Sequence, residues 1–178
     1  KYVAIAAPQS FAAEQRARCS ALGLKGRIVI ATEGINGTLA GPRAAVDEYV
    51  AALRADERFT NLEIKLSPGD ANTFPRLAIK VRPEIVTLGA GPLPADQDNH
   101  LSPAEWKRTL EEDPEAVVVD VRNRYESAAG KFATAIACDI GHFRELPGYV
   151  EMLAGLKDKK VLMYCTGGIR CEKASALF

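Results

Sequence analysis

Residues 161–175 read V-L-M-Y-C-T-G-G-I-R-C-E-K-A-S, and this stretch decides the class of the second half of the chain. The run Val161–Tyr164 is apolar throughout, the mark of a strand buried on both faces of a parallel sheet. It feeds directly into Cys165, then a loop with two consecutive glycines, Gly167 and Gly168, closed by Arg170. From Cys171 onward the pattern E-K-A-S-A-L-F reads as helix. Functional loops of parallel α/β sheets lie at the carboxyl ends of strands, the position Cys165 occupies. Glycines let successive backbone N–H groups curl toward one point, making an anion-binding nest above a helix N-terminus. A thiolate there is stabilised by those donors and by the helix dipole, so the Cys165 pKa is expected to fall. Arg170 adds a fixed charge or locks the shape of the loop. Four residues separate Cys165 from Arg170, a shorter loop than Cys-dependent phosphatases use. The tighter ring favours sulfur, as a persulfide, over a tetrahedral phosphate.

Working outward from this loop, Val117–Val121 is a second buried-strand run, apolar apart from Asp120, and Ala133–Ala137 a short third strand. Ser102-Pro103-Ala104-Glu105 is a capping box with Pro at the first helical position, opening a helix to about Glu112. Pro147–Leu156 reads as another helix. Strands alternating with helices predict a parallel α/β domain over residues 100–178. Leu88–Asn99, rich in Gly, Pro and Asp, reads as an interdomain linker over 88–99. Residues 1–87 show a different grammar. Tyr2–Ala6, Arg27–Ala31, Thr38–Ala40, Leu62–Leu66 and Leu77–Val81 read as strands, with helices at Phe11–Leu22 and Ala44–Arg54. E-G-I-N-G over 33–37 is the expected turn between the second and third strands. The order β-α-β-β-α-β predicts an α+β ferredoxin-like sandwich, two helices on one face of an antiparallel sheet.

Of the 178 residues, 47% are hydrophobic and 26% charged, and 23 Lys plus Arg balance 23 Asp plus Glu. Zero net charge excludes a uniformly basic nucleic-acid coat protein and leaves room for a local basic patch. No apolar run approaches the roughly 20 residues that span a bilayer, and no stretch reads as a signal peptide. Four cysteines do not make a disulfide scaffold and point to a reducing cytoplasm. The chain opens at Lys1 without Met and stops at Phe178 within a helix-like run. A parallel sheet needs helices on both faces, so the working protein is expected to continue past Phe178 by a strand and a helix.

The loop C-T-G-G-I-R-C-E-K-A-S resembles the active-site loop of rhodanese-like domains. E-G-I-N-G-T, R-L-A-I-K-V-R-P-E-I-V-T-L-G, H-L-S-P-A-E-W, V-D-V-R-N-R-Y-E and F-R-E-L-P are similar, in the same order, to stretches of one family that contains such a domain. It is the rhodanese-like tRNA uridine hydroxylase family, in which an acylphosphatase-like domain, expected to bind tRNA, precedes the rhodanese domain. The resemblance implies hydroxylation of the wobble uridine to 5-hydroxyuridine, with molecular oxygen as co-substrate and the tRNA anticodon region as partner. It implies Cys165 as catalytic residue, cradled by Thr166, Gly167, Gly168, Ile169 and Arg170. A sulfurtransferase carrying a persulfide on Cys165 is the alternative. Thr134 and Cys138 depart from the family pattern, which has Gly and Pro around the Ala-Ile pair.

Outside the loop the candidates are fewer. Cys171 is either a resolving thiol for an oxidised or persulfidated Cys165 or a small packing residue at the helix start. Asp120 and Arg122 end the first buried strand; Asp120 is expected to bond a neighbouring loop, and Arg122 to pair with Glu126 or a substrate phosphate. Cys19 and Cys138 read as structural, and no metal or flavin site is identifiable. His100 reads as a capping or surface residue and His142 as a loop residue with little claim to be a base. Arg76, Lys80 and Arg82 share parity on one strand, opposite Leu77, Ile79 and Val81, with Lys65 on a neighbouring strand. They form either a solvated sheet face or an RNA phosphate-binding face.

Overall fold

A computed structural model describes residues 1–70, 73–91 and 100–178. The chain divides into two compact units, Lys1–Ile85 and Val86–Phe178.

In the first unit, α1 spans Pro8–Ala21, starting earlier than expected because Pro8 occupies the first turn, where its missing N–H costs nothing. It ends at Gly23, whose φ of +66° reverses the chain. Phe11, Ala12, Gln15 and Cys19 form its buried face. Gln15 is satisfied inside by the Tyr49 hydroxyl, which donates to it at 2.9 Å. β1 (Lys25–Ala31) and β2 (Gly34–Ala40) pair antiparallel, and β1 pairs parallel with β3 (Leu77–Val81), giving the order β2-β1-β3. The expected purely antiparallel sheet is therefore mixed. Between them α2 (Arg43–Arg54) buries Tyr49 and Leu53 in a core with Phe59, Ile28, Ile30 and Ile79.

Three local expectations are corrected here. The β1–β2 turn is Thr32-Glu33 alone, since Ile35 to Gly37 already pair with β1. Gly34 is required for close approach: its φ is +152° and a Cβ would stand 2.2 Å from the Lys1 carbonyl oxygen. Tyr2–Ala6 runs extended beside that turn, with Val3 and Ile5 donating to Glu33 and Thr32 and one bridge at Tyr2–Gly34. That is two bonds and a bridge, not a full strand. Leu62–Leu66 alternates correctly but forms no ladder, and Leu66 is 57% exposed; Pro68 and Gly69 follow and break the extended run.

In the second unit, β4 (Val117–Asp120) is the centre of a parallel sheet of order β5-β4-β6, flanked by β5 (Ile136–Ala137) and β6 (Val161–Tyr164). The prediction of strands buried on both faces holds. Val119 and Val121 pack on one side with Phe143, Leu146 and Ala174, and Val118 packs on the other with Ala135 and Leu162. α3 (Pro103–Glu112) carries the expected capping box, its two halves closed between Ser102 and Glu105. A short helix α4 (Arg124–Ala129) follows β4 and was not expected.

The strand expected at Ala133–Ala137 shrinks to its last two residues because Ala135 N–H turns back to Phe132. The helix expected at 147–156 is α5 (Leu146–Val150) continued by a 3₁₀ run, Glu151–Leu156, in a segment holding Gly148 and Gly155. α6 (Cys171–Ala174) is one turn long before a 3₁₀ turn, Ser175–Leu177. Leu88, expected to open the linker, is 1% exposed in the core of this unit. The Lys173 ammonium also donates to the Val86 carbonyl at 3.1 Å. The second unit thus begins before residue 88, and of the expected linker, residues 92–99 lie outside the described residues.

Candidate functional site

Cys165 stands at the carboxyl end of β6, one residue past the last sheet position. Its height is fixed from below by Tyr164, whose hydroxyl donates to Asp120 on the adjacent strand at 2.7 Å. Asp120 is fully buried and accepts also from Ser127 at 2.9 Å and from Arg122 through Nε at 2.9 Å and a terminal nitrogen at 2.7 Å. Burial alone would raise its pKa, but the donors from Arg122, Tyr164 and Ser127 outweigh that and hold it at about 2. Arg122 lies 5.2 Å over the Tyr164 ring and reaches the Gly130 carbonyl at 2.6 Å. The expected Arg122–Glu126 pair is therefore not formed. Arg122 is spent on tying the β4–α4 turn to the end of β6.

Glu126 does something else, and sequence reasoning missed it as a site residue. Its carboxylate accepts both terminal nitrogens of Arg170 at 2.7 Å and the Thr166 hydroxyl at 2.6 Å. It also accepts the Asn123 N–H at 3.2 Å, one half of a helix-capping arrangement. One side chain on α4 thus clamps both ends of the loop 166–170. The signal was present: Asn123-x-x-Glu126 is capping-box spacing. Both partners of the ion pair are about 15% exposed, Arg170 at 14% and Glu126 at 15%. The Arg170 guanidinium holds Glu126 at about 2, well below the ordinary carboxylate value.

Inside the clamp the loop bends at Gly168, whose φ of +81° is a left-handed conformation that glycine adopts without strain. The bend lets Cys171 N–H donate to the Gly168 carbonyl at 3.0 Å. It also turns the N–H groups of Gly167, Arg170 and Cys171 toward the Cys165 sulfur. The Cys171 thiol donates to the same sulfur, and this bond is the largest influence on it. Together these donors outweigh burial and lower the Cys165 pKa to about 5, so the sulfur is a thiolate at neutral pH. Cys171, as donor, is pushed up and keeps its proton. The nest expected from the two glycines is therefore present, while the expected helix dipole contributes little because α6 has a single turn. Burial pushes Cys138 up to about 12 and also raises Cys19, both fully buried in separate units.

The remaining candidates lie apart from this loop. Arg76, Lys80 and Arg82 belong to the first unit, all exposed and of one parity along β3, with Ile79 buried between them. β3 is the outer strand beside β1, and Arg16 covers part of it by donating to the Ile79 carbonyl at 2.7 Å. His100 sits 3.9 Å from Glu172 of α6. Among the described residues no three His, Cys, Asp or Glu side chains gather as a metal site, and no helix is long and apolar enough to cross a membrane.

Residues 1–85 match the UPF0176 acylphosphatase like domain and residues 102–178 the rhodanese-like domain. The chain is 44% identical over 179 residues to a protein of Aster yellows witches'-broom phytoplasma named tRNA uridine(34) hydroxylase. It is 42% identical over 177 residues to one of that name from Cytophaga hutchinsonii, and 44% over 182 residues to one from Staphylococcus aureus. Each match covers 98% of this chain, which spans 58% of the phytoplasma protein and 56% of the other two.

Proposed function

We propose that this chain, which matches an acylphosphatase-like and then a rhodanese-like domain and is similar to proteins named tRNA uridine(34) hydroxylase, takes part in hydroxylating uridine 34 of tRNA, with Cys165 as its catalytic residue. The observation that carries the reading is a clamped, donor-lined thiolate in a chain similar over 98% of its own length to part of a protein of that name.

A thiolate is a nucleophile suited to C6 of a uracil ring. Addition there moves electron density onto C5 and O4, and C5 becomes the carbon able to meet molecular oxygen. Arg170 faces the thiolate with a charge that Glu126 holds in place, and the loop N–H groups would steady an anion formed near the sulfur. Asp120, Arg122 and Tyr164 bond to one another, as positioning residues that set the end of β6. Arg76, Lys80 and Arg82 serve, in this reading, as phosphate contacts for the tRNA anticodon region. The purified protein, incubated with unmodified tRNA under isotopically heavy oxygen, should place the label in 5-hydroxyuridine. No product, or unlabelled product, would refute the oxygen-dependent reading.

A second reading draws on the loop itself. Four residues between Cys165 and Arg170, a pKa of about 5 and a ring of N–H donors also suit a cysteine persulfide. In that case the protein would pass sulfane sulfur to a thiol acceptor. Transfer from thiosulfate to cyanide that depends on Cys165, with uridine 34 hydroxylation unaffected by its loss, would select the sulfurtransferase.

A further inference from the structure

We propose that Cys165 and Cys171 form a redox-active dithiol that donates the two electrons required to hydroxylate a uridine C5–H, closing to a disulfide in each turnover; this rests on the hydroxylase reading. Inserting one atom of molecular oxygen into a C–H bond leaves the other atom to depart as water. Dioxygen takes four electrons in all, of which the C5–H bond yields two. Two more, with two protons, must come from a reductant.

The geometry places one at the reacting sulfur. Both cysteines are free thiols, neither is fully buried, both pack against the same hydrophobic cluster, and the Cys171 N–H folds the loop back by donating to the Gly168 carbonyl at 3.0 Å. Five residues separate them, including Gly167 and Gly168, and Cys171 is the first residue of a one-turn helix. Neither cysteine belongs to a sheet ladder: Cys165 follows the last position of β6 and Cys171 opens the single turn of α6. The two sulfurs are also unequal in the way exchange chemistry needs: one is the ionised nucleophile and the other a protonated partner beside it. Cys19 and Cys138 lack this setting, each fully buried in a hydrophobic core.

The balance is complete. A uracil C5–H, one dioxygen and the two thiols give a C5–OH, one water and one disulfide. The O–O bond, the C–H bond and both S–H bonds break; a C–O, an S–S and three O–H bonds form. The C5 hydrogen ends on the new hydroxyl and the thiol hydrogens end in water. Carbon and the sulfur pair are each oxidised by two electrons, and oxygen is reduced by four. A small external thiol then reopens the disulfide by exchange.

Trypsin makes the test direct, because it cuts after Lys160, Arg170 and Lys173. The reduced chain yields V-L-M-Y-C-T-G-G-I-R and C-E-K as separate peptides, whereas the disulfide leaves them joined. The full chain, reduced and freed of reductant, is treated in one arm with equimolar hydrogen peroxide and in the other with tRNA in air. Peroxide should join the two peptides and lower the alkylatable thiols from four to two, reversibly with dithiothreitol. C171S and C171A, checked for an unchanged urea midpoint, should form no link and instead accumulate sulfenic acid on Cys165 that dimedone traps. With tRNA and no reductant, wild type should make one 5-hydroxyuridine per joined pair and stop, and dithiothreitol should restore turnover. Failure of the peptides to join under peroxide overturns the proposal. So does hydroxylation running past one per chain with both thiols still alkylatable. Joined peptides with no 5-hydroxyuridine formed would refute the hydroxylase reading, and the electron-donor role with it, while the dithiol itself survives.

Discussion

Replacing Glu126 with Gln (E126Q) keeps the size of the clamp and removes its charge. In the folded chain the carboxylate titrates at about 2 against an ordinary 4.5, because Arg170 and then Thr166 bond its ionised form. At about 1.4 kcal/mol per unit, that depression is about 3 to 4 kcal/mol of stability at neutral pH as an upper bound. Both partners keep about 15% of their side-chain surface in water, and screening there reduces the working figure to about 2 kcal/mol. The sign follows from the depressed value. The contribution is fully present above the unfolded-state pKa near 4.5 and is lost as pH falls through the folded value of about 2. Trp106 is the single tryptophan and lies in the second unit, packed against the β-sheet with Tyr164 and Leu162, so its fluorescence follows the unfolding of that unit. Urea titrations at pH 7 should place E126Q about 2 kcal/mol below wild type, and the gap should close as pH is lowered from about 5 toward 2. A gap within about 0.5 kcal/mol at pH 7, or one that persists unchanged in acid, would refute the clamp.

Alkylation of the native chain should modify Cys165 ahead of Cys19 and Cys138, with a rate that rises to half its plateau near pH 5; labelling of either buried cysteine first would contradict the site. D120N should destabilise the second unit by about 3 kcal/mol by leaving Arg122 without its buried partner, read from urea midpoints, and an unchanged midpoint would remove Asp120 from the support of β6. Reversing charge at Arg76, Lys80 and Arg82 should weaken tRNA binding, and every phosphate left without its cation should flatten the log–log salt dependence by about 0.7 to 0.9. Equal affinity and slope in the triple variant would move RNA binding off β3.

The second unit was the more legible half because its signals are strong and local. Val117–Val119 and Val161–Tyr164 are too apolar to be anything but buried strands, and Ser102 to Glu105 spells a helix start that the structure closes atom by atom. Cys165 followed from its place after such a strand and before paired glycines. What the sequence concealed depends on partners far along the chain. Arg122 chose Asp120, two residues away, over Glu126, since the buried carboxylate offers both oxygens to a guanidinium that also rests on Tyr164. That choice left Glu126 for Arg170, 44 residues on, a pairing no local pattern encodes. In the first unit Leu62–Leu66 has strand alternation and no strand to pair with, because alternation reports a face and pairing needs a neighbour. Gly34 to Gly37 looked like a turn by composition, yet these residues pair with Ile28 to Ala31, with Gly34 set against Lys1.

Cys165 is proposed as the residue that acts on uridine 34. Nucleoside mass spectrometry of tRNA decides it, with material from cells carrying the gene intact, deleted, or altered to C165S. Intact cells should contain 5-hydroxyuridine or its derivatives at position 34, and deleted and C165S cells should both lack the share this protein makes, with thiouridines unchanged. Full hydroxylation in C165S cells, or loss of thiolation with hydroxylation intact, would contradict the account.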